Sequence, residues 1–136
     1  MRSVSRGRVL LVLLLLGAVT AAVAQKADSP KYDASQEIKF KGTVDDIQEV
    51  QMGKEKHIEL AIKTADQVYR VCVCPPSFLK EFEVTFEKGE ELQVTGAKAK
   101  MDGADIILAR EIVNGNNTLT LRDKQGGPVW TWLKKG

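Results

Sequence analysis

Residues 37–50 read Glu-Ile-Lys-Phe-Lys-Gly-Thr-Val-Asp-Asp-Ile-Gln-Glu-Val, and this stretch decides the fold class. Ile38, Phe40 and Val44 alternate with polar residues, with Gly42 in the same phase, and the apolar set then shifts to Ile47 and Val50. Period-two alternation marks a strand with one buried face, because successive side chains point to opposite sides. A slip of one residue is what a β-bulge produces, and Asp45-Asp46 is where the pattern predicts it. A long first strand that bends at a glycine or a bulge can serve two sides of a small barrel.

The same alternation continues outward from this strand. Met52-Gly53-Lys54 makes a turn, and Ile58, Leu60 and Ile62 mark a second strand. Ala65-Asp66-Gln67 turns into a third, residues 68–74, which Pro75-Pro76 ends. Residues 77–82 are expected to form a short helix with Phe78 and Phe82 on one face, suited to plugging an open barrel end. Strand four follows over residues 91–101, with Gly96 as its bend, and Asp102-Gly103 is a hairpin signal into strand five, residues 105–113. After Asn114-Gly115, Leu119 and Leu121 alternate on a short C-terminal strand. Five principal strands with one short helix between strands three and four predict an all-β, OB-like barrel. An immunoglobulin-like sandwich would need about seven strands and has no place for the helix.

The chain begins differently. Arg2, Arg6 and Arg8 precede an almost unbroken apolar run, residues 9–19, and Ala22-Val23-Ala24 follows with the small-x-small pattern of a signal-peptidase site. The run is shorter than the ~20 residues a membrane-crossing helix needs. Residues 1–24 are therefore expected to be a signal peptide cleaved before Gln25. Residues 25–35 would be a flexible lead-in and 36–136 one domain. The protein would be exported, periplasmic or secreted, with no membrane span in its mature form. The full chain has 20 Lys+Arg against 18 Asp+Glu; removing the three leader arginines leaves 17 against 18. A near-neutral domain lacks the positive field that dominates non-specific nucleic-acid affinity, so no nucleic-acid partner is expected.

Catalytic groups are sparse. His57 is the single histidine, so no Ser/His/Asp set can be assembled, and no glycine-rich phosphate loop is present. Asp45-Asp46 and Glu90-Glu91 are adjacent pairs whose members face opposite ways on a strand, and they read as solvated. Cys72 and Cys74 carry the most pointed chemistry. Two apart on a strand, they would share a face, expected to be the outer one with Arg70, since Tyr69, Val71 and Val73 form the more apolar side. Three readings stay open: small packing residues, a strained disulfide, or a soft-metal site for Cu(I) or Zn completed by His57, Met52 or Met101. Trp130 and Trp132 would share a face if residues 129–133 are extended, either to bind a flat ligand or to fold back over the barrel.

Residues 88–96, Lys-Gly-Glu-Glu-Leu-Gln-Val-Thr-Gly, resemble the KxGDxVxVTG run of small exported bacterial OB-fold (BOF-like) proteins. Residues 119–130, Leu-Thr-Leu-Arg-Asp-Lys-Gln-Gly-Gly-Pro-Val-Trp, resemble the LxLRDxxGxPxW ending of one subset, some of which are similar to magnetosome-associated domains from which nothing is carried over. The resemblance spans nearly all of residues 36–132. It implies a fold and an export route, and brings no catalytic residues or cofactor. Where that subset has Val-His-Leu-Gly-Pro, this chain has Val71-Cys72-Val73-Cys74-Pro75.

The resulting expectation is a non-enzymatic binding or interaction module outside the cytoplasm. Its ligand face would lie on strands two and three and their flanking loops: Met52, Lys54, Tyr69, Arg70 and Met101. The partner would be an envelope protein, a peptide or a small ligand. The alternative is a thiol-based metal-binding or redox protein using Cys72 and Cys74.

Overall fold

A computed structural model of the chain describes residues 29–131. The expected leader, its cleavage site and Trp132 lie outside the described residues. Among the described residues six strands form one sheet: β1 (Glu37–Met52), β2 (Glu55–Lys63), β3 (Val68–Cys72), β4 (Glu91–Met101), β5 (Ala104–Asn114) and β6 (Asn117–Thr120). Their order is β3-β2-β1-β4-β5-β6. Neighbours in that order are antiparallel, and β3 makes a further, parallel pairing with β5 through Val71↔Ile107 and Cys72↔Leu108. One short helix, α1 (Pro76–Glu81), joins β3 to β4.

The long first strand behaves as its sequence requires. Its first half, through Thr43, pairs with β4, and from Thr43 onward it pairs with β2. The register to β2 jumps between Val44 and Asp46, so Asp45 is the extra residue of a bulge. Gly42 lies where the two halves meet. A Cβ there would come within 2.6 Å of the Lys63 carbonyl oxygen, a contact that no side chain permits. Strand β4 shifts register between Thr95 and Gly96, where an added Cβ would stand 2.5 Å from the Leu108 carbonyl oxygen. Both bends are thus tied to glycines over which a neighbouring backbone passes.

The interior is filled by Leu60, Ile62, Val71, Leu92, Val94 and Ile112, with Phe78 and Leu79 of α1 and Trp130 packed into the same cluster. Pro76 opens the helix, where its fixed φ suits the first turn and its missing N–H is no loss. Phe78 is buried, but Phe82 is 53 % exposed even though the two rings are 4.9 Å apart. The helix buries Phe78 with Leu79, not the pair of phenylalanines, because α1 ends at Glu81 and leaves Phe82 exposed.

A second, smaller cluster of Met52, Cys72, Ile106 and Leu108 has Tyr32, Ala99 and Met101 packed against it. On β5, Ile107 and Ala109 belong to the main core while Ile106 and Leu108 belong to this cluster, so it occupies the opposite face of the sheet. Tyr32, from the expected flexible lead-in, covers it. The Tyr32 hydroxyl donates to Glu37, and its ring lies where a Cβ on Gly126 would stand.

Candidate functional site

Cys72 and Cys74 are 2 % and 0 % exposed, which corrects the outward face expected for them. They also part company. Ile58 accepts from the Val73 amide and donates to the Cys74 carbonyl, so one residue of β2 serves two of the neighbouring chain. That is a bulge, and it ends β3 at Cys72 instead of residue 74. The phase slip sends Cys74 into the main core and leaves Cys72 in the second cluster. Both are free thiols. Burial, joined at Cys72 by the nearby Glu59, pushes each up to about 12, which disfavours the thiolate that metal binding and redox exchange need. Among the described residues no group of three or more His, Cys, Asp and Glu could hold a metal ion.

Glu59, midway along β2, is the polar centre of this region and was not singled out by its sequence context. It is 2 % exposed. One carboxylate oxygen accepts from Gln48 at 2.9 Å; the other accepts from Arg70 at 2.9 Å and lies 3.9 Å from the Cys72 sulfur. Strand register builds this set, since Gln48 and Cys72 stand directly opposite Glu59 on β1 and β3. Its only sequence signal is a charged residue inside the apolar run of residues 58–62.

A groove of about 310 Å³ lies where β3 and β5 diverge. Their parallel pairing is confined to Val71 and Cys72, so residues 68–70 have a strand partner on the β2 side and a gap on the other. Val68, Tyr69, Arg70, Lys98, Asp105 and Ile106 line it. Val68 is 51 % exposed. Tyr69 is less available than its sequence position suggested, since its ring stacks on Phe40 at 4.0 Å and its hydroxyl accepts from Gln67.

A separate cavity of about 250 Å³ is bordered by Met52, Lys54, Glu55, His57, Arg122 and Trp130, among others. His57, expected at the surface, is 5 % exposed, bonded to Glu55 at 3.0 Å and set edge-on to Trp130. Residues 129–131 form a 3-10 turn, which replaces the extended segment expected there and folds the Trp130 ring back onto Phe78 and His57. The Arg122 guanidinium lies over both the Tyr32 and Trp130 rings, at 5.5 and 5.2 Å.

The expected ligand face is therefore divided. Tyr69 and Arg70 line the groove, Met52 and Lys54 border the cavity, and Met101 packs against the second cluster. No helix among the described residues is long and apolar enough to cross a membrane. Compared with known protein families, residues 36–119 match the model of the MamS/MamX magnetosome protein family. No curated protein sequence matches the chain.

Proposed function

Because the chain belongs to the MamS/MamX magnetosome protein family, we propose that it is a non-enzymatic interaction module of a magnetosome-associated protein assembly. In this reading it works outside the cytoplasm, after loss of residues 1–24. Strands β1 to β5 form an OB-type barrel closed by the β3–β5 contact, and the groove beside that contact takes an extended peptide segment of a partner protein.

The observation that carries this reading is the gap between β3 and β5. A short strand whose outer edge is only partly paired presents backbone donors and acceptors to an incoming strand. Here the parallel ladder covers two residues of β3 and leaves Val68, Tyr69 and Arg70 beside open space. Val68 supplies apolar area at one end of the groove, and Arg70 and Lys98 bring positive charge to a lining that also holds Asp105, itself paired with Lys100. Backbone pairing would give affinity, and these side chains would favour a segment that is apolar at one position and acidic at the next. Substitution of Val68 by Asp, or of Lys98 by Glu, tests this. Each should abolish partner association and leave melting within about 0.5 kcal/mol of wild type, as surface changes do. Full association by both variants would refute the assignment of the groove.

A further inference from the structure

We propose that the cavity beside Trp130 is a binding site for a carboxylate group, anchored on the guanidinium of Arg122. The groove between β3 and β5 lies elsewhere, so this site stands or falls independently of it.

Arg122 carries a charge that the fold compensates only weakly. Arg122 makes no ion pair among the described residues. Its Nη1 donates to the Gly126 carbonyl at 2.8 Å, and its Nε is buried with no hydrogen-bond partner. Three groups act electrostatically on it: Tyr32, Cys72 and Asp123. The first two hold their protons, since each is pushed up to about 12, chiefly by burial, so at neutral pH neither supplies a negative charge. Asp123, the smallest of the three influences, favours the charged form, but its carboxylate accepts from the amides of Gln125 and Gly127 and makes no ion pair with Arg122. Burial accordingly disfavours the charged form of Arg122. A partly buried cation without an ion-pair partner is costly, and unsatisfied buried polar atoms such as its Nε mark missing water, an ion or a functional role in native proteins.

The surroundings define what would supply the missing charge. The cavity bordered by Arg122 has apolar walls from Met52, Leu108, Pro128 and Trp130, with the exposed Lys54 at its rim. Arg122 is held between two aromatic rings, so its planar donor fork is oriented before a ligand arrives. Glu55, which also borders the cavity, already engages His57 and would repel a doubly charged anion more than a singly charged one. A monoanionic, planar carboxylate with an apolar substituent against Trp130 satisfies all of these features. Its source is either a free carboxylic acid or an acidic side chain of a partner.

The test follows the Arg122 Nε–H and Trp130 indole N–H signals by NMR while acetate, inorganic phosphate or a short glutamate-containing peptide is added to the protein. The expected result is a saturable shift of both signals by acetate and by the peptide, with phosphate weaker. Acetate saturating at least as tightly as the peptide identifies a free acid; a clearly tighter peptide identifies a partner side chain. Arg122→Gln should abolish the shift. Should that variant lose its fold, Lys54→Glu, a change at an exposed rim residue, decides the matter by weakening binding several-fold with dispersion of the spectrum intact. No saturable shift with any probe would overturn the proposal. Tighter binding of phosphate than of acetate would overturn the carboxylate assignment.

Discussion

The carboxylate of Glu59, 3 % exposed, is held 2.9 Å from the guanidinium of Arg70, which is 40 % exposed. The pair thus joins a group that cannot reach water to one that can. Removing Arg70 alone leaves Glu59 buried with Gln48 as its remaining strong donor. Arg70→Ala should therefore destabilise the protein by about 1–2 kcal/mol, the range for a hydrogen bond to a charged group discounted for solvent access. Replacing both residues by Leu should recover much of that loss, because no unpaired charge then remains. Urea denaturation of the single and double variants measures both quantities.

Cys72 and Cys74 should respond differently to the same substitution. Cys74 sits in the main core, where burial alone raises its thiol, so Cys74→Ser should cost about 1–3 kcal/mol. Cys72→Ser places its hydroxyl beside Glu59 and should cost clearly less. Melting of the two variants side by side checks the order; equal losses would contradict the bulge that separates them.

The thiols also predict an alkaline limit. Their folded values near 12 lie above the ordinary 9.0, so the neutral form is the one the fold stabilises. Stability from this source is fully present below pH 9 and is lost as pH rises toward 12, because the unfolded thiols ionise first. Denaturation midpoints should fall across that window, with Tyr32 adding to the effect in the same direction. At pH 8 neither cysteine should react with a maleimide until the protein is denatured.

At the acid end the relevant contact is Glu37 with Arg110, 2.6 Å apart and both partly exposed. The Arg110 hydrogen bond, with that from Tyr32, holds the Glu37 carboxyl below its ordinary value. Its contribution is therefore present above the unfolded carboxylate's pKa and disappears as pH falls through the lower folded one. Glu37→Gln should be less stable than wild type at pH 7, and the difference should shrink below about pH 4. Thermal melting across that range tests the sign.

Much of this fold was legible in the chain itself, and the reasons are specific. The phase slip at Asp45-Asp46, the glycine at 96 and the turn at Asp102-Gly103 each reflect a local backbone requirement, and local requirements are written in adjacent residues. Strand β4 follows its alternation from Glu91 to Met101. The bulge at Val73-Cys74 was not legible, because it is defined by Ile58 on another strand. Expecting strict alternation there gave the cysteines a shared outer face that they do not have. The burial of Glu59 and His57 and the partial burial of Arg122 depend on which strands and loops close over them, and nothing within a few residues of each announces it. The expected ligand face takes its residues from strands two and three and their flanking loops. The register distributes them between two separate depressions, since Met52 and Lys54 flank the β1–β2 turn while Tyr69 and Arg70 lie at the far end of β3.

Whether a partner protein is held in the gap between β3 and β5 is measured most directly by site-specific photo-crosslinking. A photoreactive residue is placed at Val68, or as a control at exposed Lys39 on β1, and the protein is irradiated in its host cells. Docking in this gap should give one discrete protein adduct from position 68, lost when Lys98→Glu is added, and none from position 39. Adducts from both positions alike, or an adduct from position 68 that survives Lys98→Glu unchanged, would contradict it.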